Sequence, residues 1–206
     1  VNIAKTTIGT HPDQTAGVLR TLEAQSDSGS VKRQCAELAG QLAKFEDYLT
    51  AWLVAGPYLQ DGLDADKLFD VVFPPEEEGA TVDWQPAAVG THGLPYVVEL
   101  DKSLGGDKRV AYLRTNVWSD EARDALLELG SDDGVKAWLN GKVVAADNAV
   151  RPVAPGQTKA PVTLNQGWNT LLLKVTQGGG QWAVCARFRA PDGGALSGLR
   201  AAATTD

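Results

Sequence analysis

The stretch Leu129-Gly130-Ser131-Asp132-Asp133-Gly134-Val135-Lys136-Ala137-Trp138-Leu139-Asn140-Gly141-Lys142-Val143-Val144 decides the fold class. Asn140-Gly141 stands between two strand-like runs. A two-residue type I′ turn needs positive φ at both central positions, which Asn and Gly tolerate best. Just upstream, Ser131-Asp132-Asp133-Gly134 supplies a second turn. Residues 125–146 therefore read as a three-stranded antiparallel meander. In that register Leu139 lies opposite Lys142, Trp138 opposite Val143 and Lys136 opposite Ala145, while Glu128 faces Lys136 and Leu126 faces Trp138. One face collects Leu127, Leu129, Val135, Ala137, Leu139 and Val144, an apolar core side.

Working outward, the same rhythm of short apolar runs and turn signals extends over most of the chain. Candidate strands fall at 51–55, 81–85, 96–100, 110–118, 125–130, 135–139, 142–146, 160–164, 169–176 and 182–190, the pattern of an all-β sandwich or barrel. Pro74-Pro75-Glu76-Glu77-Glu78-Gly79 reads as an exposed loop, Ala190-Pro191-Asp192-Gly193-Gly194 ends the last strand, and the tail to Asp206 reads as weakly ordered. The first part is different. Residues 13–25 and 30–48 have helical periodicity, the second through Val31, Cys35, Leu38, Leu42, Phe45 and Leu49, with Ser30 as a candidate N-cap. The division expected is a helical connector, cap or last unit of a helical repeat over 1–48, and a sandwich over 49–206.

Composition bounds the function. The 206 residues carry a net charge of −7, which disfavours a nucleic-acid backbone as partner. No apolar run is long enough to cross a bilayer as a helix, so no membrane partner is expected. Two histidines and two cysteines are too few for a His/Cys zinc cluster. Cys35 and Cys185 could pair only if the helices dock on the sheet's far face, and free buried thiols are the simpler reading. A Met-free chain opening on Val reads as a module of a longer, multidomain protein.

Side chains alternate across a strand, so parity sorts residues into faces. Around Tyr112, the residues Ala111, Leu113, Thr115 and Val117 suit the core. The opposite face carries Tyr112, Arg114, Asn116 and Trp118, two aromatics interleaved with a guanidinium and an amide. Aromatic rings stack on the C–H faces of sugars while planar donors take hydroxyls or a carboxylate. Equally, Tyr112 and Trp118 can be covered by another element, such as the N-terminal helices, with Arg114 paired to a carboxylate. Trp138 leans to the same kind of face as Lys136, as a stacking platform or as the centre of a second packing layer. In the last strand Trp182, Val184, Ala186 and Phe188 form the core set. That leaves Arg187 to join Arg114 in a cationic patch suited to an anionic glycan. Trp168, in Gly167-Trp168-Asn169, reads as a plug at one end of the sandwich.

Trp52-Leu53-Val54-Ala55-Gly56-Pro57-Tyr58, the 129–141 stretch and Gly167-Trp168-Asn169-Thr170-Leu171-Leu172-Leu173-Lys174-Val175 resemble the jelly-roll, galactose-binding-like sandwiches. These occur as carbohydrate-binding modules and as ancillary domains of large multidomain proteins of planctomycete-type bacteria. The resemblance covers residues 49–190 and implies a mainly β, antiparallel jelly-roll β-sandwich behind the short helical segment. It also implies a non-catalytic, extracellular or periplasmic module that binds a polysaccharide or oligosaccharide and sits beside other domains of the same polypeptide. A structural calcium ion is possible in that setting. Asp132 and Asp133 are its candidate ligands, although adjacent aspartates are also ordinary turn formers. The sequence-based site is thus Tyr112, Arg114, Asn116, Trp118, Lys136, Trp138 and Arg187. The alternative is a structural or protein-interaction sandwich packing on neighbouring domains. Catalysis through carboxylate pairs such as Glu128 with Asp124, or Asp120 with Glu121, is disfavoured, since no further catalytic constellation stands behind them.

Overall fold

The structure, a computed structural model, describes residues 12–42, 47–89 and 96–204. It divides into two compact units, one comprising residues 1–46 and 90–96, the other residues 47–89 and 97–206. In the first, α1 (Pro12–Gln25) and α2 (Gly29–Leu42) pair through Leu19, Cys35 and Leu38, flanked by Leu22 and Val31. The second helix begins at Gly29, one residue earlier than expected, because the Ser28 carbonyl already accepts the Lys32 N–H. Residues 43–46, within the predicted second helix, lie outside the described residues, and Leu49 belongs to the core of the other unit.

The second unit is an antiparallel β-sandwich. Its strands are β1 (Leu53–Tyr58), β2 (Gln85–Pro86), β3 (Val98–Glu99), β4 (Arg109–Ser119), β5 (Arg123–Asp132), β6 (Val135–Leu139), β7 (Lys142–Asp147), β8 (Thr158–Leu164), β9 (Gly167–Gln177), β10 (Ala183–Arg189) and β11 (Leu199–Ala202). One sheet has seven strands in the order β2-β1-β4-β9-β6-β7, with β11 also on β4; the other has four, β3-β10-β5-β8. Alternate side chains from both sheets meet in one core, for example Leu113, Leu173 and Ala137 from the larger and Leu127, Val184 and Phe188 from the smaller.

Three sequence-based expectations change here. The hairpin β6-β7 forms as read, with Asn140 at φ 51° and Gly141 at φ 77°, and Leu139 pairs Lys142. A register shift at Ala137/Trp138 then sets Lys136 opposite Ala146 rather than Ala145. The three-stranded meander does not exist. The chain switches sheets at Asp132-Asp133-Gly134, so β5 pairs with β10 and β8 while β6 pairs with β7 and β9. Both strands show their apolar residues to one core, which a single sheet and two facing sheets satisfy alike; that is why the pattern misled. Lastly, the tail expected to be weakly ordered contributes β11, which covers the edge of β4 beyond β1, from Asn116 to Ser119.

Between β1 and β2 the chain forms two short turns of helix, α3 (Ala65–Leu68) and a 3₁₀ turn (Pro74–Glu76). This segment packs on the outer face of the seven-stranded sheet, burying Leu68 and Phe73 against Val110 and Tyr112. The proline-glutamate run is therefore no simple exposed loop. Among the described residues no helix is long and apolar enough to cross a membrane.

Candidate functional site

The outer face of the seven-stranded sheet is ordered in rungs by strand pairing. Lys136, Lys174 and Tyr112 share the first rung, and Trp138, Leu172 and Arg114 the second. Thr170 and Asn116 form the third, and Trp168, Trp118 and Arg200 the fourth. Parity along β4 is thus as read from the sequence, with Tyr112, Arg114, Asn116 and Trp118 on one outward face.

The first rung is closed by the segment between β1 and β2. Tyr112 is fully buried, edge-on to Tyr58, and its hydroxyl donates to Glu76. Lys174 is buried beside it, its ammonium donating to Glu76 Oε1 at 2.9 Å and to the Val71 carbonyl at 2.5 Å. Burial lowers the Lys174 pKa while the Glu76 carboxylate opposes that shift, and burial with the same carboxylate pushes the Tyr112 phenol up. Lys136 stacks on Phe69 and pairs with Asp70 at 3.6 Å. Tyr112 and Lys136 are therefore anchors for the covering segment. Cover comes from within the sandwich unit.

The second rung opens into a cleft of about 540 Å³. Trp84 and Trp138 line it, Arg114 and Leu172 form its floor, and Glu77 and Glu78 stand exposed at its rim. The Arg114 guanidinium lies 4.6 Å from the Trp84 ring centroid. Its Nε is buried without a hydrogen-bond partner.

Beyond the cleft the face is polar and then aromatic again. Thr170 Oγ1 donates to Asn116 Oδ1 at 2.9 Å. Trp118 meets Trp168 edge-on at 5.5 Å and 77°, lies under Arg200 at 5.1 Å, and donates its indole N–H to Asp120 at 2.9 Å. Trp168 does not plug the end of the sandwich, because its place on β9 has outward parity; it is 41% exposed. The neighbouring Asn169 is the inward residue, with its side-chain amide tied to Asn165, Gly167 and Asn140.

Arg187 does not join this face. It sits on the four-stranded sheet, bonded to Glu128 at 2.7 Å and stacked over Tyr48. Burial alone would raise the Glu128 pKa, yet Lys159 and Arg187 hold it below the usual carboxylate range. The expected cationic pair of Arg114 and Arg187 is thus split between opposite outer faces. The carboxylate pairs considered for catalysis are engaged as well: Asp124 accepts from Thr163, and Asp120 from Trp118.

Asp132 and Asp133 occupy the sheet switch. Asp133 accepts the backbone N–H groups of Arg151 at 3.1 Å and Gly178 at 2.8 Å. Burial, then the charges of Asp133 and Asp101, push the Asp132 carboxyl up to about 6. Among the described residues no group of three His, Cys, Asp or Glu side chains is arranged to hold a metal ion. Both cysteines are free and buried, and burial pushes the Cys185 thiol up to about 12.

Trp84 and Trp168 were the residues the sequence reading missed as site candidates. Trp84 follows Asp83 in a polar connection whose docking onto Arg114 is long-range. For Trp168, parity along its own strand gives the outward face, while its place opposite Trp118 comes from the pairing of β4 with β9.

The fold defines an antiparallel β-sandwich of two sheets. No protein-family model matches the chain, and no curated protein does. Solved structures are similar at low identity. The PA14 domain of the MpAFP antifreeze protein is 17% identical over 76% of this chain and 93% of that one, with a TM-score of 0.47. A family 35 carbohydrate-binding module from Clostridium thermocellum is 11% identical over 69% of this chain and 96% of that one, with a TM-score of 0.37. An anti-sigma factor domain-containing protein is 15% identical over 45% of this chain, which spans only 32% of it, with a TM-score of 0.39. At these values neither family nor ligand follows, and the reading of the site rests on its own geometry.

Proposed function

We propose that the sandwich is a non-catalytic carbohydrate-binding module, and that a sugar ring seats in the cleft between Trp84 and Trp138 above Arg114. One observation carries this reading: two indoles and a guanidinium line the same 540 Å³ cleft. The indoles offer apolar faces to the C–H side of a pyranose, and the Arg114 guanidinium would donate to ring hydroxyls. Arg114 is half-buried in place, with its guanidinium over Trp84, so little side-chain freedom is lost on binding.

The ligand class is neutral. An anionic preference was founded on Arg114 acting with Arg187, and the sheets keep those apart. Around Arg114 the rim carries Glu77 and Glu78, which repel a carboxylated or sulfated chain and accept hydroxyl hydrogens from an uncharged one. Such a module would act outside the cell, tethering companion domains to the polysaccharide.

Native affinity electrophoresis through gels containing hydroxyethylcellulose, arabinoxylan, galactomannan, β-galactan or polygalacturonate tests this. Retardation by one of the neutral polymers is expected, with Trp138→Ala weakening it about tenfold. No retardation by any neutral polymer, or retardation that Trp84→Ala and Trp138→Ala both leave intact, would sink the assignment.

A further inference from the structure

We infer that the open part of the outer face, from the second rung to the fourth, binds a linear polysaccharide, with Trp168 as a second sugar-stacking station in line with the cleft. The inference rests on the carbohydrate-binding reading above and adds where the chain runs.

Three observations place the second station. The first is alignment. Leu172 of the cleft floor and Trp168 lie on the same strand and face, four residues apart, hence roughly 13 Å along β9. One hexopyranose cannot touch both stations, whereas a short linear oligosaccharide can. The second is preorganisation. Trp168 is the most exposed aromatic among the described residues, yet Trp118 holds it edge-on. Trp118 is itself fixed by Arg200 on its face and Asp120 on its N–H. An aromatic plate held in this way loses little entropy on stacking. The third is the ground between. Asn116 and Thr170, bonded to each other, present amide and hydroxyl groups rather than an apolar ridge, and Gly141 at the cleft's edge raises no side chain. Aromatic, polar and aromatic steps in sequence suit a chain of repeating sugars, each with an apolar face and a hydroxyl rim.

The occupant is therefore a linear stretch of a neutral chain, longer than a single sugar. The covering segment closes the first rung, and the face stays open at the fourth, where the glycan is free to continue. Charge agrees: Arg200 at that station is held over an indole, and the connecting rung is uncharged.

Isothermal titration of the whole chain with cellohexaose, xylohexaose, mannohexaose and β-galactohexaose, each beside its disaccharide, tests the inference. For the bound series, the hexasaccharide is expected to bind at least about tenfold more tightly than the disaccharide. Trp168→Ala should reduce that ratio to about one, and Trp168→Phe should recover part of it. Melting temperature checks that both variants fold. Equal affinity for the two lengths, or a ratio that Trp168→Ala does not change, overturns the second station while leaving the cleft reading intact. Binding lost in Trp84→Ala and Trp138→Ala for every length supports the cleft independently. Absence of binding by all four series overturns both.

Discussion

The Glu76–Lys174 pair anchors the covering segment, and neutralising Glu76 should cost more than any surface ion pair could. The Lys174 side chain is 0% exposed and that of Glu76 12% exposed. In Glu76→Gln the Tyr112 hydroxyl keeps an acceptor, so the change isolates the charge. Breaking a buried pair by removing one partner costs about 3–5 kcal/mol, because the other charge stays buried. An independent ceiling comes from deprotonation. From an unfolded value of 10.5, releasing the Lys174 proton at pH 7 costs at most about 5 kcal/mol, and the lysine will neutralise before paying more. The two estimates agree. Urea unfolding at pH 7 should therefore lose about 3–5 kcal/mol, whereas Glu76→Gln/Lys174→Met should return to within about 1 kcal/mol of the wild type. The pH signature has a definite sign. The folded-state pKa of Lys174 lies below 10.5, so between those two values the unfolded chain binds more protons, and stability rises with pH. Relative to the wild type, the deficit of Glu76→Gln should shrink from pH 7 to pH 10. A single-variant loss under about 1 kcal/mol, or additive single and double changes, would refute the claim that a desolvated charge holds this segment.

Two further outcomes follow from the other carboxylates. The Asp132 carboxyl is raised from 3.8 to about 6, so the folded state binds more protons in that window and stability falls as pH rises through it. Asp132→Asn should stabilise the protein at pH 8 by up to about 3 kcal/mol and have no effect at pH 3.5, measured by urea unfolding; equal effects at both pH values would show the carboxylate is not desolvated. Arg187→Ala should cost about 2–3 kcal/mol at pH 7, since Glu128 would retain only the exposed Lys159. The Glu128 pKa is depressed, so its contribution is present at neutral pH and lost as pH falls through the folded-state value, and the variant's deficit should shrink on acidification. Because Arg187 sits on the four-stranded sheet, affinity electrophoresis of this variant should be unchanged; weaker binding would place the glycan on the wrong face.

What the sequence disclosed and withheld divides along a physical line. Period-two alternation is local, so the faces of β4, β6 and β10 and the Asn140-Gly141 turn could be read from residues alone. Sheet membership is not local. The apolar set Leu127, Leu129, Val135 and Ala137 meets the same core whether Asp132-Asp133-Gly134 closes a hairpin or carries the chain across to the facing sheet. Only partners far away in sequence decide between these, with β10 and β8 flanking β5 and β9 beside β6. The site divides in the same way. Parity put Arg114, Trp118 and Trp138 outward, but parity on separate strands cannot say that two outward faces coincide, and that is why Arg187 was grouped with Arg114. The covering segment was the harder case. Pro74-Pro75-Glu76-Glu77-Glu78 has the composition of a solvated loop, and its burial depends on Lys174, whose outward position on β9 gives a lone cation no reason to be covered until Glu76 arrives. Each member of that pair looks like surface by itself; their joint neutrality lets the segment close over Tyr112 and shape one wall of the cleft around Trp84.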